Sequence, residues 1–106
     1  MKYEYKDLDK VCKRAVNHYG IESQIDMAIE EMAELIVALR HFRRGRNDGS
    51  EALQEMADVF ITLHQLRTFF DAMPKQSEYR FCVFDTWVDY KLTRLDEKLN
   101  LLGAKK

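Results

Sequence analysis

At 106 residues the chain has room for one domain with one core and not for two comfortable ones, so a single domain over residues 1–106 is expected. A formal net charge of −1 removes any global attraction to a nucleic acid polymer or an anionic membrane, so anion binding must come from a local cluster. Hydrophobic residues at 46% and charged residues at 33% describe a globular chain with a well-solvated surface, and one proline with four glycines leaves so little punctuation that a few long helices are expected.

The opening Met1-Lys2-Tyr3-Glu4-Tyr5-Lys6 carries no apolar signal segment, and the longest aliphatic run, Leu35 to Leu39, falls far short of a membrane span. A cytoplasmic location without membrane contact is expected. Cys12 and Cys82 show no Cys-x-x-Cys spacing, and a reducing compartment argues against a disulfide, so both read as small buried hydrophobes.

The first predicted helix begins near Asp7, which can cap the amides ahead of Leu8, Val11, Cys12, Ala15, Val16 and Tyr19, and ends at Gly20. The second runs from Glu22 or Ser23 to the Phe42–Arg44 region. Its apolar stripe is Ile25, Ala28, Ile29, Met32, Leu35, Ile36, Leu39 and Phe42. Residues 43–50, with three arginines and two glycines, form a short loop in which Asp48 or Ser50 can cap the next helix. So short a connection makes its two helices antiparallel neighbours.

The third helix is expected from Glu51 to Asp71, with Ala52, Met56, Val59, Phe60, Leu63, Leu66 and Phe70 as its stripe. Pro74 interrupts the pattern, and Ser77 is a reasonable cap for a last helix that reaches Leu102, with Gly103 as its stop. Phe81, Phe84, Val88, Leu92, Leu95, Leu99 and Leu102 are its apolar positions. The fold class is therefore an all-α antiparallel bundle of about four helices.

The middle two helices echo each other. Glu31-Met32-Ala33-Glu34-Leu35 and Glu55-Met56-Ala57-Asp58-Val59 each carry a carboxylate, Met-Ala, a second carboxylate and an aliphatic residue. Acids three apart on a helix lie about 5–6 Å apart at Cβ and point the same way. At 100° per residue the apolar stripe centres roughly 100° from Glu31, with Glu34 roughly 60° to its other side, and Glu55 and Asp58 stand in the same relation to theirs. Across an antiparallel turn the two pairs can face one another as a cup of carboxylates. Such a cluster raises its own pKa values unless cations neutralise it, so it makes sense mainly as a metal site. Oxygen donors without thiolates suit Mg²⁺ or Mn²⁺ rather than zinc, and such a site suits phosphate chemistry.

Other constellations weigh less. A di-iron bundle uses Glu-x-x-His on two helices, but Ala15, Ala38 and Ile61 stand three before His18, His41 and His64. The histidines read as structural or surface groups. Lys91, Arg94 and Lys98 recur at helical spacing and make one basic edge, which either serves triphosphate oxygens or pairs with Asp96 and Glu97 on a solvated face. Arg40, Arg43, Arg44 and Arg46 fit a helix C-terminus, where cations offset the dipole. Trp87 and Tyr90 read first as core or interface aromatics and second as a stacking surface for a base.

On these residues the chain resembles the MazG-like family of all-α nucleoside triphosphate pyrophosphohydrolases. The likeness rests on Glu-x-x-Glu at Glu31 and Glu34 and Glu-x-x-Asp at Glu55 and Asp58; Lys91-Leu-Thr-Arg94-Leu is similar to the basic segment that comes after them in the family, and Gln24 to a glutamine one heptad ahead of the first motif. It spans roughly residues 8 to 102, with a longer connection around Pro74 than the family usually has.

The resemblance implies Mg²⁺-dependent hydrolysis of a nucleoside triphosphate between its α and β phosphates, giving the monophosphate and pyrophosphate, as in nucleotide-pool house-cleaning. Glu31, Glu34, Glu55 and Asp58 would be the metal-binding and catalytic residues, and Gln24, Lys91 and Arg94 substrate-binding ones. Assembly as a homodimer or homotetramer is implied too. The alternatives are a non-catalytic helical interaction module, or a narrower enzyme acting on dUTP or phosphoribosyl-ATP.

Overall fold

In the computed structural model, which describes residues 4–103, four helices occur in order: α1 (Tyr5–Tyr19), α2 (Ile21–Arg43), α3 (Ser50–Ala72) and α4 (Phe84–Leu101). The described residues contain no strand, as the helical periodicity requires. No described helix is long and apolar enough to cross a membrane. Of the opening run read for a leader, the first three residues lie outside the described range. The chain divides between Phe70 and Asp71 into two units, the first holding α1, α2 and nearly all of α3.

Local chemistry accounts for most helix ends. α1 starts at Tyr5, two residues earlier than expected, because Asp7 caps from inside the first turn: its Oδ2 accepts from the backbone N–H of Glu4 at 3.4 Å. A single residue joins α1 to α2. The N–H of Gly20 donates to the Val16 carbonyl at 2.8 Å, and its own carbonyl accepts from Gln24 N–H at 3.1 Å. That geometry needs φ of +85°, where a side chain is strained. Between α2 and α3, Asn47 Oδ1 accepts from Gly49 N–H at 2.9 Å and Asp48 Oδ1 from Ser50 N–H at 3.0 Å, so the start of α3 is capped by two side chains.

The last helix is the main departure from expectation. Ser77 does not cap it; its Oγ accepts from Tyr79 N–H at 3.2 Å inside a turn, with Arg80 and Cys82 N–H bonded to the Ser77 and Tyr79 carbonyls. α4 begins at Phe84, whose N–H donates to Asp71 Oδ1 at 2.8 Å, while Thr86 Oγ1 accepts from Val83 N–H at 3.3 Å. Phe81 thus falls outside the helix and is exposed.

Within the first unit α1 packs on α3. The Cys12 thiol is fully buried and donates to the Ile61 carbonyl at 3.9 Å. Burial pushes that thiol's pKa up, the Asp9 carboxylate adds to the effect and Arg67 opposes it. Arg67, its side chain 10% exposed, pairs with Asp9 across the helices and donates from Nε to His64 Nδ1 at 3.3 Å. Cys82, expected to be buried, is half-buried.

Among the described residues, burial is confined to small or polar side chains. Cys12, Ala28, Ala38 and Ala52 are buried with Gln24, Thr62 and His64, whereas much of the expected core stripe stays open. Ile29, Ile36 and Leu39 on α2, Met56 and Phe60 on α3, and Leu92 and Leu95 on α4 are all exposed. These faces, expected to form the core, are not covered within a single copy of the chain.

Two substitutions test this framework by thermal or denaturant unfolding. Asp9→Ala, which strips a largely buried guanidinium of its carboxylate, should cost about 2 kcal/mol. Gly20→Ala should cost about 1–2 kcal/mol from backbone strain alone, because nothing lies within 4 Å of the added Cβ.

Candidate metal centre

The echo between α2 and α3 becomes a spatial cluster. A carboxylate oxygen from each of Glu31, Glu34 and Glu55 lies within 4.8 Å of the other two. Glu31 and Glu55 are half-buried and Glu34 is exposed, so the trio opens to solvent on one side. Glu31 Oε2 and Glu55 Oε2 are buried without a hydrogen-bond partner among the described residues. A carboxylate oxygen removed from water with nothing to bond is costly, and either protonation or a cation removes the cost.

The electrostatics point the same way. Partial loss of water raises the Glu31 carboxyl above its ordinary range, and the charges of Glu34, Asp58 and Glu55 raise it further. Glu55 is raised by loss of water first, then by Glu34 and Asp58. The Glu34 carboxyl lies close enough to each to share a proton, which favours their neutral forms. Asp58 is exposed and outside the trio, yet its charge reaches both half-buried acids. All-oxygen donors without thiolate or imidazole fit Mg²⁺ or Mn²⁺.

Beside the trio lies a hollow of about 350 Å³ in which Glu31 and Asp58 share the wall with Gln24 and Gln65, and with Tyr19, Ser23, Met27, Ile61 and Thr62. Gln24, expected at a substrate site, is buried there. Gln65, Tyr19 and Thr62 were not singled out from sequence. The available signal was symmetry: Gln65 follows Asp58 by seven residues, as Gln24 precedes Glu31 by seven.

The histidines lie elsewhere. His41 Nδ1 stands 3.6 Å from Glu51 near the α2–α3 turn, His64 packs its ring 4.4 Å from that of Phe60, and His18 meets Tyr19 at 4.7 Å. In the second unit, Lys91, Arg94 and Lys98 line a shallow hollow with Leu95, and the Arg94 guanidinium lies 5.7 Å from the Tyr90 ring centroid. Trp87 packs against Tyr79 at 5.2 Å and Tyr90 at 6.2 Å, so these rings largely take one another as partners. Arg40, Arg43 and Arg44 flank Ile36 and Leu39 at the end of α2.

The raised carboxyls imply a signed pH dependence. The folded chain keeps protons on Glu31 and Glu55 at pH values where the unfolded chain, with glutamate near its ordinary value of about 4.3, has lost them. Their stabilising effect is therefore complete below that value and disappears as pH rises through the raised pKa values. In EDTA, Glu34→Gln should have a higher Tm than the wild type above the raised pKa values and a flatter Tm profile as pH rises past the ordinary glutamate value, measured by calorimetry; an unchanged or steeper profile counts against the cluster.

No family model matches the chain, and neither the curated proteins nor the solved structures contain a match to it.

Proposed function

We propose that this chain is a Mg²⁺-dependent nucleoside triphosphate pyrophosphohydrolase of the MazG-like kind, cleaving between the α and β phosphates to release a nucleoside monophosphate and pyrophosphate. One observation carries the reading: carboxylates from two facing helices converge within 4.8 Å, with two inward oxygens unsatisfied, on the edge of a hollow of about 350 Å³.

Glu31, Glu34 and Glu55 would hold the cation. A bound Mg²⁺ would supply charge stabilisation on the phosphate oxygens and a lowered pKa for an attacking water. Asp58, outside the trio and on the wall of the same hollow, would add negative charge at its edge, and one of the four carboxylates would accept a proton from that water. Gln24 lines the end of the hollow where the remainder of the substrate goes. Lys91 and Arg94, in the second unit, are substrate-binding residues on the family resemblance alone.

The open apolar faces of α2, α3 and α4 support assembly of the chain with itself as a homodimer or homotetramer, because exposed apolar surface on this scale is characteristic of an interface. The same faces favour one competitor, a helical interaction module without catalysis, in which the acids only solvate the bundle. Light scattering reports the assembly, and Mg²⁺-dependent thermal stabilisation separates the enzyme from the module.

The deciding experiment measures pyrophosphate release from a panel of ribo- and deoxyribonucleoside triphosphates, dUTP and phosphoribosyl-ATP included, with Mg²⁺ and with EDTA. Release should need Mg²⁺, and Glu34→Gln or Asp58→Asn should each lower kcat by about a hundredfold or more. A variant of either kind that kept wild-type release would end the proposal.

A further inference from the structure

One buried carboxamide, Gln24, and one half-buried, Gln65, stand two helical turns from the carboxylates. Gln24 is 4% exposed, and the Oε1 atoms of both Gln24 and Gln65 are buried with no hydrogen-bond partner among the described residues. Both residues line the same hollow as Glu31 and Asp58. Their placement comes from the antiparallel pair: Gln24 is seven residues before Glu31 on α2, and Gln65 seven after Asp58 on α3. Seven residues return to nearly the same helix face, about 20° off, and rise about 10.5 Å along the axis. Because α2 and α3 run in opposite directions, both steps lead the same way, away from the loop that joins them.

The occupant of such a hollow can be read from its walls. Two carbonyl oxygens without partners call for N–H donors. The side chains of Met27 and Ile61 offer apolar contact, and the Tyr19 ring lies at the boundary with solvent. An anion would meet the two carbonyls and the acids; an aliphatic group would leave both amides unpaired. A flat ring with N–H groups on one edge satisfies all of these surfaces.

We propose that Gln24 and Gln65 are the base-reading end of this site: a nucleobase enters the hollow with its N–H edge on the two Oε1 atoms and its sugar directed towards Glu31 and Asp58. An exocyclic amine carries two hydrogens and can meet both acceptors, whereas thymine and uracil, linked to the sugar through N1, keep a single N–H and leave one carbonyl unpaired. Amine-bearing bases are therefore favoured, with Gln65 the specificity residue. The inference rests on the triphosphate reading only for the groups beyond the sugar.

The test uses phosphate-free nucleosides and the whole chain in EDTA, with saturation-transfer NMR and calorimetric titration as readouts. Deoxycytidine, deoxyadenosine and deoxyguanosine should bind ahead of deoxyuridine and thymidine. Gln65→Leu, which keeps the bulk and removes the acceptor, should weaken their binding about tenfold. Gln65→Glu, which keeps an acceptor oxygen, should restore the preference, with circular dichroism confirming that both variants fold. Absence of nucleoside binding by the wild type, a Gln65→Leu protein that binds as the wild type does, or a preference for thymidine and deoxyuridine would overturn it. Neither Mg²⁺ nor a phosphate takes part. Nucleoside binding without pyrophosphate release therefore upholds the pocket and sinks the hydrolase, and pyrophosphate release with a base preference indifferent to Gln65→Leu does the reverse.

Discussion

The first unit is arranged around a repulsion. Loss of water disfavours the ionised forms of Glu31 and Glu55, and the charges of Glu34 and Asp58 add to the effect. Left to themselves such groups drive helices apart. The contacts that hold α2 and α3 in place lie away from the acids: the capped turn through Asn47 and Asp48, the one-residue link at Gly20, and α1, docked on α3 by the Cys12 thiol and the Asp9–Arg67 pair. Stability at those points is what allows a strained cluster to persist at another.

The polar wall of the hollow continues the same logic. Gln24 is buried at the very start of α2, where the Gly20 carbonyl accepts its backbone N–H, so the link that turns the chain also sets this amide beside the cup. Gln65 reaches the same hollow from the far helix. The two ends of the hollow therefore differ chemically, carboxylates at one and carboxamides at the other.

The apolar side of the chain obeys a separate constraint. Alanines at positions 28, 38 and 52 are buried, while larger apolar residues on the same helices stay open. Little of the expected hydrophobic driving force is realised within one copy, which is why the assembly proposal comes from burial rather than from any single contact.

The sequence alone determined the all-α class, the three long helices with ends within a few residues of where caps and glycines placed them, and the two acid pairs at matched angles, because helical periodicity and capping are local properties. The same local logic failed at α4. Its start depends on Asp71, thirteen residues away, and on a turn that takes Ser77 for itself. Only the tertiary structure decided that Gln65 shares a hollow with Gln24, that Asp9 finds Arg67 across 58 residues, and that Asp58 stands outside the tight trio. Those facts depend on the register and spacing of packed helices, which no repeat within one helix encodes.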